Sequence, residues 1–274
     1  EAGGLSATFT VTSRTSLSTN KGKVGSQVTV TGDGYAASQS GINISFDGEQ
    51  MNTLAANSLG SFTSSFTVPP RPKGDYSVIV GSSLLNFELV SAFSMSPTAG
   101  PPGVIVELLG SGFTPNASGS VSIPFDGNVV VSTSMDSQGS ISTSFQIPVA
   151  AGGPHSVGVS NPSTGTTYST FTVTPTLSLD RLNAAPGDSI TATGAGFAIN
   201  ETAITILIDV TPVATGVLAD SEGSFTTSLI VPSLPSGLHS TRASGPRTLA
   251  NKVPPVTLTI GAGISLVHPD GPPG

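Results

Sequence analysis

Short runs in which apolar and polar residues alternate recur along the whole chain. In KVGSQVTVTGDGY (residues 23–35), Val28 and Val30 alternate with polar neighbours, and in APGDSITATGAGF (185–197) Ile190 and Ala192 do the same. A period of two puts every second side chain on one face, as in a half-buried strand. PPGVIVELLGSGF (101–113) fills the corresponding place between them. Downstream, SLGSFTSSFTVP (58–69), SQGSISTSFQIP (137–148) and SEGSFTTSLIVP (221–232) share one order: a glycine turn, an alternating run, then a proline that ends the ladder. NISFDGE (43–49) and VSIPFDGN (121–128) carry Asp-Gly pairs suited to hairpins that need positive φ. ITILIDV (204–210) is a diverged third copy without the FDG turn, which leaves that hairpin's geometry open. Further strands are expected near Tyr76-Ser77-Val78, His155-Ser156-Val157 and His239-Ser240-Thr241, followed by closing strands NFELV (86–90), STFTV (169–173) and VTLTI (256–260). Helical periodicity is almost absent.

These runs form a threefold repeat marked by GDGY, GSGF and GAGF, whose aromatic residues Tyr35, Phe113 and Phe197 lie 78 and 84 residues apart. About seven short strands in each unit of this size predict an all-β fold of three tandem immunoglobulin-like β-sandwich domains. The expected boundaries are 1–12 for an N-terminal donor-type strand, 13–91, 92–174 and 175–262 for the three domains, and 263–274 for a C-terminal opening-strand segment. The stretch SPTAGPPGVIVELLGSGF (96–113), followed by FDG and GSISTSFQIP, resembles the Ig-like repeats of bacterial and archaeal extracellular surface proteins, including the IPT/TIG-like class. That resemblance covers nearly the whole chain. It implies a cell-surface array, adhesin, filament or spacer module, and it specifies fold better than function.

SATFTV (6–11) matches the closing strand of a unit rather than an opening one, and GISLVHPDGPPG (263–274) parallels AFSMSPTAGPPG (92–103), the opening of the second unit. Ser6, Ala7, Thr8, Phe9, Thr10 and Val11 are therefore expected to form a strand that pairs with a neighbouring copy in a head-to-tail homopolymer. A cut piece of a longer array and plain tails are the alternatives. Pro97, Pro101, Pro102, Pro175 and Pro186 at the junctions predict stiff connections, as a fibre or stalk needs.

Composition narrows the function classes. Charged residues are 9% of the chain, against about 25% in an average soluble domain. With 36% apolar residues it should nevertheless fold. A net charge of −7 with scattered cations gives no footprint for nucleic acid, and no apolar run is long enough to span a membrane. The absence of cysteine excludes thiolate metal sites and cysteine nucleophiles. Three sequons, at Asn43, Asn116 and Asn200, are candidates for N-linked glycans. Asn116 and Asn200 each follow the repeat aromatic by three residues, where the first unit has Ser38, so they occupy one loop of successive units. His155 and His239 share a repeat position and are expected to be structural. Asp136 and Asp220 read as β-turn residues rather than calcium ligands, because the first unit has Asn57 there. Asp47 and Asp126 read as hairpin residues. No catalytic, cofactor or metal motif is found, and no enzyme is expected. The reading is an extracellular structural subunit of a surface filament or layer. The competing classes are spacer repeats and a carbohydrate-binding adhesin, which would need an aromatic platform beyond Tyr35, Tyr76 and Tyr168.

Overall fold

The computed structural model describes residues 9–115, 119–163 and 165–262. The first sandwich comprises β1 (Arg14–Leu17), β2 (Lys21–Gly22), β3 (Gln27–Asp33), β4 (Ile42–Phe46), β5 (Glu49–Leu54), β6 (Phe62–Thr67), β7 (Gly74–Val80) and β8 (Ser83–Leu89). The second has β9 (Ala92–Ser96), β10 (Ala99–Gly100), β11 (Ile105–Ser111), β12 (Ser120–Phe125), β13 (Asn128–Ser134), β14 (Ile141–Gln146), β15 (Gly153–Asn161) and β16 (Gly165–Val173). The third has β17 (Thr176–Leu179), β18 (Asn183–Ala184), β19 (Ser189–Ala195), β20 (Ile204–Ile208), β21 (Thr211–Val217), β22 (Phe225–Ile230), β23 (Gly237–Ser244) and β24 (Val256–Ile260).

Each unit pairs a three-stranded sheet with a five-stranded one in the same order: β1-β3-β6 over β2-β8-β7-β4-β5, then β9-β11-β14 over β10-β16-β15-β12-β13, then β17-β19-β22 over β18-β24-β23-β20-β21. Alternation does the packing. In the first unit Val28 and Val30 point inward from one sheet and Ile44, Phe46, Val78 and Phe87 from the other, all fully buried. Burying one such phenylalanine contributes roughly 2–3 kcal/mol. The three cores are separate clusters, one per sandwich.

Two features depart from the sequence reading. Each unit has eight strands, because the opening segment crosses between sheets: β1 pairs antiparallel with β3, then the two residues of β2 pair parallel with the closing strand, Lys21 opposite Glu88 and Gly22 opposite Leu89. Two residues cannot display a period. The third hairpin also survives without its glycine. Asp47 and Gly48 (φ 49° and 79°) and Asp126 and Gly127 (φ 46° and 87°) make turns with both central residues left-handed, whereas Asp209 (φ 52°) alone does so between β20 and β21. Aspartate tolerates that region, so Val210 need not.

Candidate assembly strand and the surfaces around it

Residues 9–12, FTVT, repeat the sequence of residues 171–174 and align with FELV at 87–90. Contacts of the second glycine in each GxG motif fix this register. A β-carbon on Gly34 would fall 2.8 Å from the carbonyl oxygen of Thr12, one on Gly112 2.9 Å from that of Val90, and one on Gly196 2.6 Å from that of Thr174. The chain therefore enters the first unit as it enters the second and third, where it has just left a closing strand. In those strands Phe87 and Phe171 are 0% exposed and Leu89 and Val173 at most 2%, yet Phe9 is 88% and Val11 64% exposed. Ser6, Ala7 and Thr8 of the expected strand lie outside the described residues. Backbone bonds also tie successive units together: Lys73 N–H donates to Gly112 O (2.8 Å) and Gly152 N–H to Phe197 O (2.8 Å).

In the second and third units a clasp joins the central hairpin to the start of the penultimate strand. His155 Nδ1 lies 2.6 Å from Asp126 Oδ2 and its Nε2 2.7 Å from Ala151 O. The other carboxylate oxygen accepts from Ser156 N–H at 2.8 Å. His239, Asp209, Pro235 and Ser240 repeat the arrangement at 2.7, 2.8 and 2.9 Å. Both nitrogens of the His239 ring face acceptors, so only the imidazolium can donate to both. The Asp209 hydrogen bond, followed by the Pro235 carbonyl, raises the His239 pKa above the ordinary imidazole range, and His239 with the Ser240 N–H holds Asp209 below the usual carboxylate range. In the first unit Tyr76 Oη donates to Pro72 O (2.7 Å) and Arg71 supplies the cation beside Asp47 and Glu49. The sequence placed Asp126 in a hairpin and His155 in a strand but did not pair them. The recurrence of Asp and His at fixed unit positions was the available signal.

The turn residues act through the backbone. Asp136 Oδ1 accepts from Gln138 and Ser140 N–H (2.9 and 2.8 Å), and Asp220 Oδ1 from Glu222 and Ser224 N–H (both 2.9 Å). Asn57 Oδ1 does the same for Leu59 and Ser61 (2.9 and 3.0 Å), so the role needs an acceptor and no charge. Among the described residues no cluster of three or more His, Asp or Glu could hold a metal, and no helix is long and apolar enough to cross a membrane.

Of the three sequons, Asn116 lies outside the described residues. Asn200 is exposed at φ 50°, and Ser38 occupies the matching loop of the first unit at φ 54°. Asn43 is exposed on β4, its Oδ1 accepting from Thr53 Oγ1 at 2.7 Å. Beside Asn200 sits a group that sequence reasoning missed. Glu201 is 1% exposed. Its Oε1 accepts from Arg247 and Thr248 N–H (both 2.7 Å) and its Oε2 from Ala198 N–H (3.1 Å) and the Thr248 hydroxyl. Burial pushes its pKa up, but the Thr248 hydroxyl and these three amides outweigh burial and hold it below the usual carboxylate range.

Among solved structures, the chain is similar to FdeC, an Escherichia coli adhesin described as eliciting protection against urinary tract infections, at 15% identity over 91% of this chain and 97% of that one, with a TM-score of 0.28. It is similar to Bacteroides ovatus SGBP-B from a mixed-linkage glucan utilization locus, solved with a mixed-linkage heptasaccharide, at 14% identity over 91% and 69% with a TM-score of 0.31. It is also similar to the Yersinia pseudotuberculosis adhesin InvE, at 14% identity over 63% and 59% with a TM-score of 0.29. No curated protein matches it. The IPT/TIG domain model matches residues 13–91 and again residues 91–174, together more than half of the sequence. On those two matches the chain belongs to the IPT/TIG domain family.

Proposed function

We propose that this chain is a structural subunit of an extracellular surface filament or surface layer, in which copies join head to tail by β-strand complementation through residues 6–11. The observation that carries the reading is the exposure of Phe9 and Val11 at repeat positions whose counterparts, Phe87, Leu89, Phe171 and Val173, are core residues. Burying both contributes roughly 4 kcal/mol, which alone would give a dissociation constant only near the millimolar range. Backbone hydrogen bonds at about 1 kcal/mol each and contact between stacked units must supply the rest. The junctions within the chain supply a template for that contact.

Electron microscopy of the purified protein tests the reading. Long uniform fibres are expected from the full chain and folded single particles from a chain lacking residues 1–12; fibres that persist after the deletion refute strand complementation.

The same exterior setting accommodates N-linked glycans at Asn116, Asn200 and Asn43. Asn200 is the strongest of the three, because its loop is exposed and its left-handed backbone suits asparagine. Native protein is then expected to exceed the 27.2 kDa of the polypeptide by glycan increments, one of which disappears in Asn200→Gln. An intact mass unchanged by that substitution rules the site out.

A further inference from the structure

All three sandwiches already hold their own closing strand, β8, β16 and β24, so a strand arriving from a second copy finds no vacant core position. We infer that β24 is exchangeable, and that residues 7–11 of a second copy replace it between β23 and β18. This rests on the strand-complementation reading and names its acceptor.

The sequences fit one slot. Ala7-Thr8-Phe9-Thr10-Val11 and Val256-Thr257-Leu258-Thr259-Ile260 share one pattern, apolar at the first, third and fifth places with threonine between. In β24 the third and fifth places, Leu258 and Ile260, are buried in the core of the third unit. Phe9 and Val11 would take those places, as Phe171 and Val173 do in the second unit.

Only in the third unit is the closing strand loosely attached. Residues 81–82 connect β7 to β8 and residues 162–164 connect β15 to β16, but β23 and β24 are joined by the long loop 245–255. The first two pairs are in register along the full length of both strands, Gly74–Val80 and Gly153–Asn161, whereas β23 meets β24 only from Gly237 to Thr241. A short ladder has fewer hydrogen bonds to give up, and a long connection lets β24 leave without pulling β23 out of its sheet. Glu201 determines where the hinge lies. By accepting from Arg247 and Thr248 it pins the loop next to β23, so release of β24 displaces only the segment from Leu249 onward, with Val253 leaving the core alongside the strand. The acceptor sheet therefore keeps β23 in place while the position between β23 and β18 is vacated.

Continuity at the junction supports the same occupant. Once Phe9 and Val11 lie in the third unit of one copy, Thr12 passes to Gly34 of its own first unit in the way Val90 passes to Gly112 and Thr174 to Gly196. The junction between copies repeats the junctions within them, and the rod continues without a break in pattern.

Leu238 and Thr259 are directly opposed in the β23–β24 ladder, and Thr259 N–H is directed away from β23, to Leu182 O. They form a non-hydrogen-bonded pair, whose β-carbons approach closely enough for a disulfide. In the full chain, oxidised Leu238→Cys/Thr259→Cys is expected to lose assembly by about tenfold or more and to recover it on reduction, which separates a locked strand from a misfolded one. In the exchanged strand Thr10 takes the place of Thr259, opposite Leu238 of the acceptor copy. Thr10→Cys/Leu238→Cys is therefore expected to give a ladder of disulfide-linked multimers on a non-reducing gel. If the locked protein assembles undiminished and the second variant stays monomeric while deletion of residues 1–12 still abolishes fibres, strand complementation stands and the β24 site is wrong. If the deletion leaves fibres intact, or the full chain never forms multimers, both fall.

Discussion

Replacing Gly139 with alanine is expected to destabilise the second sandwich by about 3 kcal/mol or more, one of the largest effects open to a single added methyl group. Gly139 sits at φ 76°, where an alanine is already strained. Its β-carbon would lie only 1.7 Å from the carbonyl oxygen of Phe113. That oxygen cannot retreat easily, because the Phe113 ring is 0% exposed and the Phe113 N–H donates to Gly139 O at 3.0 Å. Relief requires breaking the bond, lifting the ring from the core, or both. The other units are built the same way, with Gly60 against Tyr35 and Gly223 against Phe197. The units have separate cores, so the loss should show as one early step in a urea or thermal melt, leaving the remaining transitions in place. A Gly139→Ala chain within about 1 kcal/mol of the parent would mean that the crossing is not a rigid latch.

That latch explains why the repeat is legible in the sequence alone. GDGY, GSGF and GAGF record a close backbone crossing and a buried ring, both of which constrain residue identity strongly, and the alternating strands record which face is covered. What stayed hidden is encoded in pairs. Asp126 and His155 are 29 residues apart and meet only because the β12–β13 turn folds beside the start of β15. A single sequence shows each residue and not the 2.6 Å between them. Glu201 was obscured differently. It is the middle residue of the sequon Asn200-Glu201-Thr202, where a polar loop is the natural reading, and the amides that bury it come from Arg247 and Thr248. Strands β2, β10 and β18 are two residues long and carry no pattern of their own. The N-terminal segment occupies middle ground: FTVT is recognisable as a repeat of the closing-strand sequence, but the exposure of Phe9 depends on what lies next to it.

Glu201→Gln is expected to cost the third sandwich roughly 2–3 kcal/mol near neutral pH, the scale of a buried donor left without an acceptor. The carboxylate receives three backbone N–H groups and a hydroxyl on two oxygens. An amide keeps one of those oxygens and turns the other into a donor. Thr248 can rotate its hydroxyl to accept from the new NH2 group, but the Arg247, Thr248 and Ala198 amides cannot reverse, so in either orientation at least one faces another donor. Acid should reproduce much of this loss in the parent. A carboxylate whose folded pKa is held below its unfolded value stabilises the fold above the ordinary carboxylate range, and that stability drains away as pH falls through the folded value. His239 runs the other way. Its raised pKa gives a contribution that is complete below the ordinary imidazole range and is lost as pH rises through the folded value. Melts of the third unit across pH should therefore decline on both sides. In Glu201→Gln the acid limb should become shallower, retaining only the share of Asp209, whose pKa is also lowered, while the alkaline limb keeps its slope because His239 is untouched. An acid limb of unchanged steepness in the variant would show that the charge on Glu201 does not hold the 245–255 loop in place, and the pivot assigned to that loop would lose its anchor.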